Sequence, residues 1–197
     1  MRVTGPFAPP YGILIGASGG AVYWLAAQIW PSSVAVILSV ALTAVLTTDF
    51  RAMPAARFDL LSRVLCLLIK YNALMALSAA KLPFAVPANV PLALIMIAGL
   101  AASFAVLVAV LATRPDKTAP KVGQVALIFA LLTGFAPALL LGIPGLTGLA
   151  AAVAAGLGLI AFLRHGKISG SGDTLDLIQL LTEACFYLGA LATWRYI

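Results

Sequence analysis

The sequence has very little charge. Only 9% of its 197 residues are Asp, Glu, Lys or Arg, while 63% are hydrophobic. Soluble domains carry about 25% charged residues, and a soluble fold of this length cannot hide so much apolar surface. Acid is scarcest: the carboxylate side chains are Asp49, Asp59, Asp116, Asp173, Asp176 and Glu183. There is one histidine, His165, and there are two cysteines, Cys66 and Cys185, both inside apolar runs. No CxxC or Cys/His spacing supports a zinc or haem site, so the cysteines read as small buried hydrophobes. His165, in Arg164-His165-Gly166-Lys167, reads as interfacial charge. The net charge of +6 is spread over short loops rather than gathered on one face. A nucleic-acid partner is therefore not expected.

What is abundant is long apolar runs. A helix needs about 20 apolar residues to cross the hydrocarbon core. Seven runs approach that length: Tyr11–Ile29, Val34–Thr48, Leu60–Ala80, Val90–Ala112, Gly123–Gly142, Gly145–Leu163 and Leu177–Tyr196. The first is longer than the apolar stretch of a secretory leader and reads as a span. Turn chemistry falls between the runs, at Trp30-Pro31-Ser32-Ser33, at Pro83, Pro87 and Pro91, and at Gly142-Ile143-Pro144-Gly145. The expected fold is all-α: a single polytopic transmembrane bundle over residues 1–197, of about seven spans, with the lipid bilayer as its solvent. Gly12, Gly16 and Gly20 recur at four-residue spacing in the first span. They predict one smooth face against which another helix backbone packs closely.

Orientation follows from the loop cations. Arg2, Arg51, Arg57, Arg63, Arg114, Lys117, Lys121, Arg164 and Lys167 fall on one side, and Lys81 and Arg195 on the other. The bias of nine to two predicts a cytoplasmic N-terminus. With seven spans the C-terminus is outside. Five of the six carboxylates then lie in cytoplasmic loops or at span ends.

Two polar elements stand out. Ser169-Gly170-Ser171-Gly172-Asp173-Thr174-Leu175-Asp176 leads into the seventh run. It fits a helix start, with Asp173 as cap and Asp176 in the first turn. It equally fits a flexible anion-binding loop beside carboxylates. The second element is the ionisable pair Lys70 and Glu183, one in the third run and one in the seventh, at similar depth. Charges at such depth face the protein interior and usually pair. Lys70 and Glu183 are expected to approach one another or to share a polar cavity with Asn72.

Taken together, these segments resemble the cobalamin synthase family, the adenosylcobinamide-GDP ribazoletransferases. Tyr11-Gly12-Ile13-Leu14-Ile15-Gly16-Ala17 is similar to the family's first glycine-rich span, and Leu68-Ile69-Lys70-Tyr71-Asn72-Ala73-Leu74 to its central lysine-tyrosine helix. Thr113-Arg114-Pro115-Asp116 resembles its arginine-containing loop. Gly172-Asp173-Thr174-Leu175, followed by Glu183, is similar to its Gly-Asp-x-Leu-Gly segment with trailing glutamates. The resemblance implies an inner-membrane enzyme that joins α-ribazole, or its 5′-phosphate, to adenosyl-GDP-cobinamide and releases GMP at the cytoplasmic face. It implies Asp173, Glu183 and Lys70 as catalytic groups and places Arg114 and Gly172 in the phosphate-binding set, to which Arg51 and Arg57 are added by their own chemistry, as guanidinium groups able to hold a phosphate directly. It also implies Mg²⁺, for which Asp49, Asp59 and Asp173 are the candidate ligands.

The family's His-x-Asp-Gly-Leu-Ala-Asp-x-x-Asp-Gly run after the second span is replaced. Arg51 stands for the histidine, and Met53, Arg57 and Leu60 stand for the three aspartates. Asp176 stands where the family has glycine, and Leu180 where it has the first glutamate. Two further readings therefore stand beside the transferase. One is a non-catalytic homologue serving as accessory subunit or scaffold, with membrane-protein partners or in a homo-oligomer. The other is a small-molecule permease.

Overall fold

The computed structural model describes residues 7–48, 57–78, 90–113, 123–165 and 172–194. Side chains are described within these segments except at 48, 57–60, 90–91, 162–165 and 172–176. The described residues form seven helices: α1 (Ala8–Ala26), α2 (Ser32–Thr48), α3 (Arg57–Ser78), α4 (Val90–Ala112), α5 (Gln124–Leu140), α6 (Ile143–His165) and α7 (Gly172–Trp194). The expected all-α bundle is what forms.

Helix boundaries depart from the apolar runs where the first turn tolerates what a run does not. α1 begins three residues before Tyr11, because Pro9 and Pro10 fit an opening turn whose N–H groups have no helical partner. It ends at Ala26, and Ile29 and Trp30 close a turn by donating to the Ala26 carbonyl. α7 begins at Gly172, so Asp173 is inside the first turn rather than at the cap. Between α5 and α6, Gly142 holds φ at +67° and donates to the Leu139 carbonyl at 3.1 Å. That left-handed geometry ends a helix cheaply only at glycine. Pro144 opens α6, and Gly145 lets its first turn settle against the Ala138 carbonyl.

α4 is the axis of the bundle. Its run from Leu92 to Ala112 carries no charge and only one hydroxyl, Ser103, and 78% of it is buried. A helix apolar on every side belongs inside. The other six form a closed ring around it, in the order α1, α2, α3, α7, α6, α5 and back to α1. α1 makes the most extensive contact with α4, through its glycine face. A Cβ built on Gly12 would lie 2.9 Å from the Leu100 carbonyl oxygen, one on Gly16 2.6 Å from Ile97 Cα, and one on Gly20 3.0 Å from Ala93 Cα. The partner numbers fall as the glycine numbers rise, so the two helices run antiparallel. α6 and α7 use the same device, with Gly148 against the Phe186 carbonyl and Gly189 against the Thr147 carbonyl.

The core has two apolar clusters. Tyr23, Leu74, Leu92, Met96, Phe186 and Tyr187 belong to one, and Ile15, Leu100, Phe104, Val108, Ala130 and Ile178 to the other. The outside of the ring is as apolar as the inside. Leu61, Val125, Leu132, Leu140 and Ile143 are each at least 62% exposed. An apolar surface of this extent suits lipid and not water. Among the described residues, four helices are long and apolar enough to cross a bilayer, over Leu61–Ser78, Leu92–Ala112, Ile143–Ala161 and Leu177–Trp194. Ser32–Thr47 and Gln124–Leu140 are apolar but shorter. The protein is a multi-span membrane protein.

Candidate functional site

Charge buried in a bilayer-spanning bundle is costly unless it is paired and hydrogen-bonded. Lys70 on α3 and Glu183 on α7 meet this condition. Lys70 Nζ lies 2.7 Å from Glu183 Oε1, with the two side chains 5% and 3% exposed. Lys70 also donates to Thr43 Oγ1 of α2 at 3.1 Å, and that hydroxyl donates onward to the Val40 carbonyl at 3.0 Å. From the other side the Tyr187 hydroxyl donates to Glu183 Oε1 at 2.9 Å. The Tyr187 ring stands 5.9 Å from Lys70 Nζ, within range of a cation–π contact. The ring has room because α4 offers Gly99, where a Cβ would come within 2.6 Å of Tyr187 Cε1.

The polar groups continue across the bundle. The Met96 carbonyl of α4 is 3.5 Å from the Tyr187 hydroxyl. Ser39 of α2 donates to the Gly19 carbonyl of α1 at 2.7 Å, and its oxygen is 3.2 Å from Met96 Sδ. Groups from α1, α2, α3, α4 and α7 thus form one belt. Charge-assisted hydrogen bonds in a low-dielectric interior are strong and directional. The belt ties four neighbouring helices of the ring, α1, α2, α3 and α7, to the central one.

The expected approach of Lys70 and Glu183 is present; the cavity shared with Asn72 is not. Residues two apart on a helix point roughly 200° apart. Asn72 is exposed on the far side of α3, and its Nδ2 donates to the Leu68 carbonyl at 2.8 Å. Thr43 and Tyr187 were not singled out in the sequence. Tyr187 had a signal, since it follows Glu183 by one helical turn. Thr43 had none: its place opposite Lys70 depends on how α2 and α3 pack.

The remaining candidates divide by position. Asp49, Arg51 and Arg114 lie outside the described residues. Arg57 and Asp59 are in the first turn of α3, and Gly172 and Asp173 open α7; their side chains are likewise outside the description. Along α7, Asp173 and Glu183 are about 15 Å apart at 1.5 Å per residue, too far to share one ion.

The Mg²⁺ implied by the resemblance finds no fit among the described side chains. Glu183 Oε1 already faces a cation, the Lys70 ammonium, at 2.7 Å. No cluster of three His, Cys, Asp or Glu residues occurs among the described residues. Cys66 and Cys185 are both free thiols.

Compared with protein-family models, with curated proteins and with solved structures, the chain matches none.

Proposed function

We propose that the chain is an inner-membrane protein of the cobalamin-synthase type. In this reading it has seven spans and a cytoplasmic N-terminus, and it transfers α-ribazole or its 5′-phosphate to adenosyl-GDP-cobinamide with release of GMP. One observation carries the reading. Two segments chosen for their resemblance, the lysine-tyrosine helix and the Gly-Asp-x-Leu helix with its trailing glutamate, supply the two partners of the 2.7 Å contact between Lys70 and Glu183.

In this reading the ion pair positions the site rather than forming it. It lies about 20 Å from the start of α3 and about 17 Å from the start of α7 at 1.5 Å per residue. It pins the two helices so that their first turns work at one membrane face. Arg57 and Asp173 belong to those turns. Arg51, Arg57 and Arg114 supply positive charge to the diphosphate directly, as planar guanidinium groups do for phosphate oxygens.

The test is GMP release by purified protein given adenosyl-GDP-cobinamide and α-ribazole, with and without Mg²⁺. Release that falls on Arg57→Ala supports the reading. No release at high protein concentration removes the reaction. The second reading, a non-catalytic homologue acting as an accessory subunit, then takes its place. That reading rests on Glu183 Oε1 being held by both Lys70 and Tyr187. It expects stoichiometric co-purification with another membrane chain.

A further inference from the structure

α3 has two faces of opposite character. Cys66, Lys70, Ala73, Leu74 and Leu77 are buried in the bundle. On the other side Leu61, Leu65 and Leu68 are 71%, 57% and 52% exposed, and Asn72 is exposed next in line. Their spacings of four, three and four residues average about 3.7, close to the 3.6 of a straight helix. The four side chains therefore stand on one line along the outer face of α3, where a second helix can pack along them.

Asn72 makes this face more than lipid-facing hydrocarbon. Its carboxamide sits about 3 Å along the axis from Lys70, deep in the span. One of its N–H groups goes to the Leu68 carbonyl, and among the described residues nothing donates to its Oδ1. Lipid tails offer no partner, and a polar side chain in hydrocarbon gains by finding one across a helix interface. Thr133, also lipid-facing, shows the contrast: its hydroxyl is satisfied by the Phe129 carbonyl of its own helix at 2.8 Å.

We propose that the Leu61–Leu65–Leu68–Asn72 face of α3 is the interface of a two-fold homodimer, with the Asn72 carboxamides of the two copies hydrogen-bonded to each other. The occupant is a second copy for two reasons. A carboxamide is self-complementary, with a donor and an acceptor on one planar group, so two of them related by a two-fold axis satisfy each other reciprocally. All copies insert in one direction, so an axis along the membrane normal brings each Asn72 to the same depth as its counterpart. A single asparagine on such a face also fixes register, because sliding by one turn parts the amides. The proposal does not depend on the reaction proposed above.

The test is step counting by photobleaching of singly labelled full-length protein in liposomes, across a range of dilution in lipid. The expected result is dimers that dissociate on dilution, with Asn72→Leu shifting the midpoint by roughly tenfold toward monomer while the thermal midpoint of the bundle stays put. Leu65→Cys and Leu68→Cys, each in a Cys66→Ala/Cys185→Ala background, should cross-link on oxidation, and Leu132→Cys on α5 should not. Monomers at all densities overturn the proposal. So do dimers of Asn72→Leu as tight as the parent, or cross-linking strongest at Leu132→Cys. Cross-linking of Leu65→Cys in native membranes to a different chain, at the expense of the self-linked product, also overturns it in favour of a heteromeric partner.

Discussion

Lys70 Nζ and Glu183 Oε1 face each other at 2.7 Å inside the helix ring, with Thr43 and Tyr187 each contributing one further hydrogen bond. Breaking a buried pair from one side leaves the other charge uncompensated, at a cost of about 3–5 kcal/mol. Lys70→Met and Glu183→Leu are therefore each expected to lower the thermal unfolding midpoint in detergent sharply. The double variant Lys70→Met/Glu183→Leu should recover most of the loss, because no buried charge remains. A double variant whose loss equals the sum of the two single losses would show that the two side chains are not coupled.

Tyr187→Phe separates the hydroxyl from the ring. The ring still fills the space over Gly99 and stays near the ammonium. What is lost is one donor to a charged oxygen, worth about 1.5–3 kcal/mol. Thr43→Val removes an acceptor from the Lys70 ammonium, also a charged group, and is expected to cost a similar amount, about 1.5–3 kcal/mol. Scanning fluorimetry should place both variants below the parent. A variant as stable as the parent would show that its hydroxyl contributes nothing to holding the pair.

Some of this was legible in the sequence because it depends on one helix at a time. Gly12, Gly16 and Gly20 declare a face by their spacing, whatever packs on it, and Gly142-Ile143-Pro144-Gly145 declares a stop and a start. Lys70 and Glu183 declared a pair because two deep charges of opposite sign have few ways to be satisfied in lipid. The identity of the glycine face's partner was not legible. α4 is apolar all round, and nothing in such a run says which neighbours it takes. Thr43 was hidden for the same reason. Asn72 was misplaced by closeness in sequence to Lys70, although two residues along a helix place side chains on opposite sides. The candidates at Asp49, Arg51 and Arg114 lie outside the apolar runs and outside the described residues, and periodicity has nothing to say of them.

The glycine face of α1 makes a paired prediction. A Cβ on Gly16 would meet Ile97 Cα at 2.6 Å, a backbone atom that cannot step aside. Gly16→Ala should push α1 off α4 and lower the unfolding midpoint by several degrees, and Gly16→Leu should stop the protein accumulating in the membrane. Gly158, in α6, has nothing within 4 Å of the same position. Gly158→Ala should be neutral or stabilising by about 0.5–1 kcal/mol, from helix propensity alone. Equal loss in both alanine variants would mean that close α1–α4 packing is not what the glycine provides.

Gly142 tests backbone geometry without packing, since no atom lies within 4 Å of its missing Cβ. Its φ of +67° places any other residue in left-handed space, at a cost of about 1–2 kcal/mol. Gly142→Ala should lower the unfolding midpoint, and Gly142→Asn, a side chain that tolerates this region, should lower it less. An alanine variant as stable as the parent would show that the α5–α6 turn can close with φ below zero.

The last prediction concerns direction. α2 and α5 are 17 residues each, about 26 Å at 1.5 Å per residue, against about 30 Å of hydrocarbon. A short span is accommodated by local thinning of the bilayer at modest cost. α2 also has little freedom to lie elsewhere, because its Ser39 and Thr43 are buried in the belt with α1, α3 and α4. At its far end Trp24 and Trp30 are about half exposed around the α1–α2 turn, at 47% and 48%. Tryptophan there suits a headgroup boundary. If all seven helices cross, the nine-to-two cation bias puts the N-terminus in the cytoplasm and a reporter fused after Ile197 outside it. Alkaline phosphatase at that position should be active, and a fluorescent protein that matures only in the cytoplasm should stay dark. A bright fluorescent fusion with inactive phosphatase would mean an even number of crossings. α2 and α5 would then be the helices to examine first.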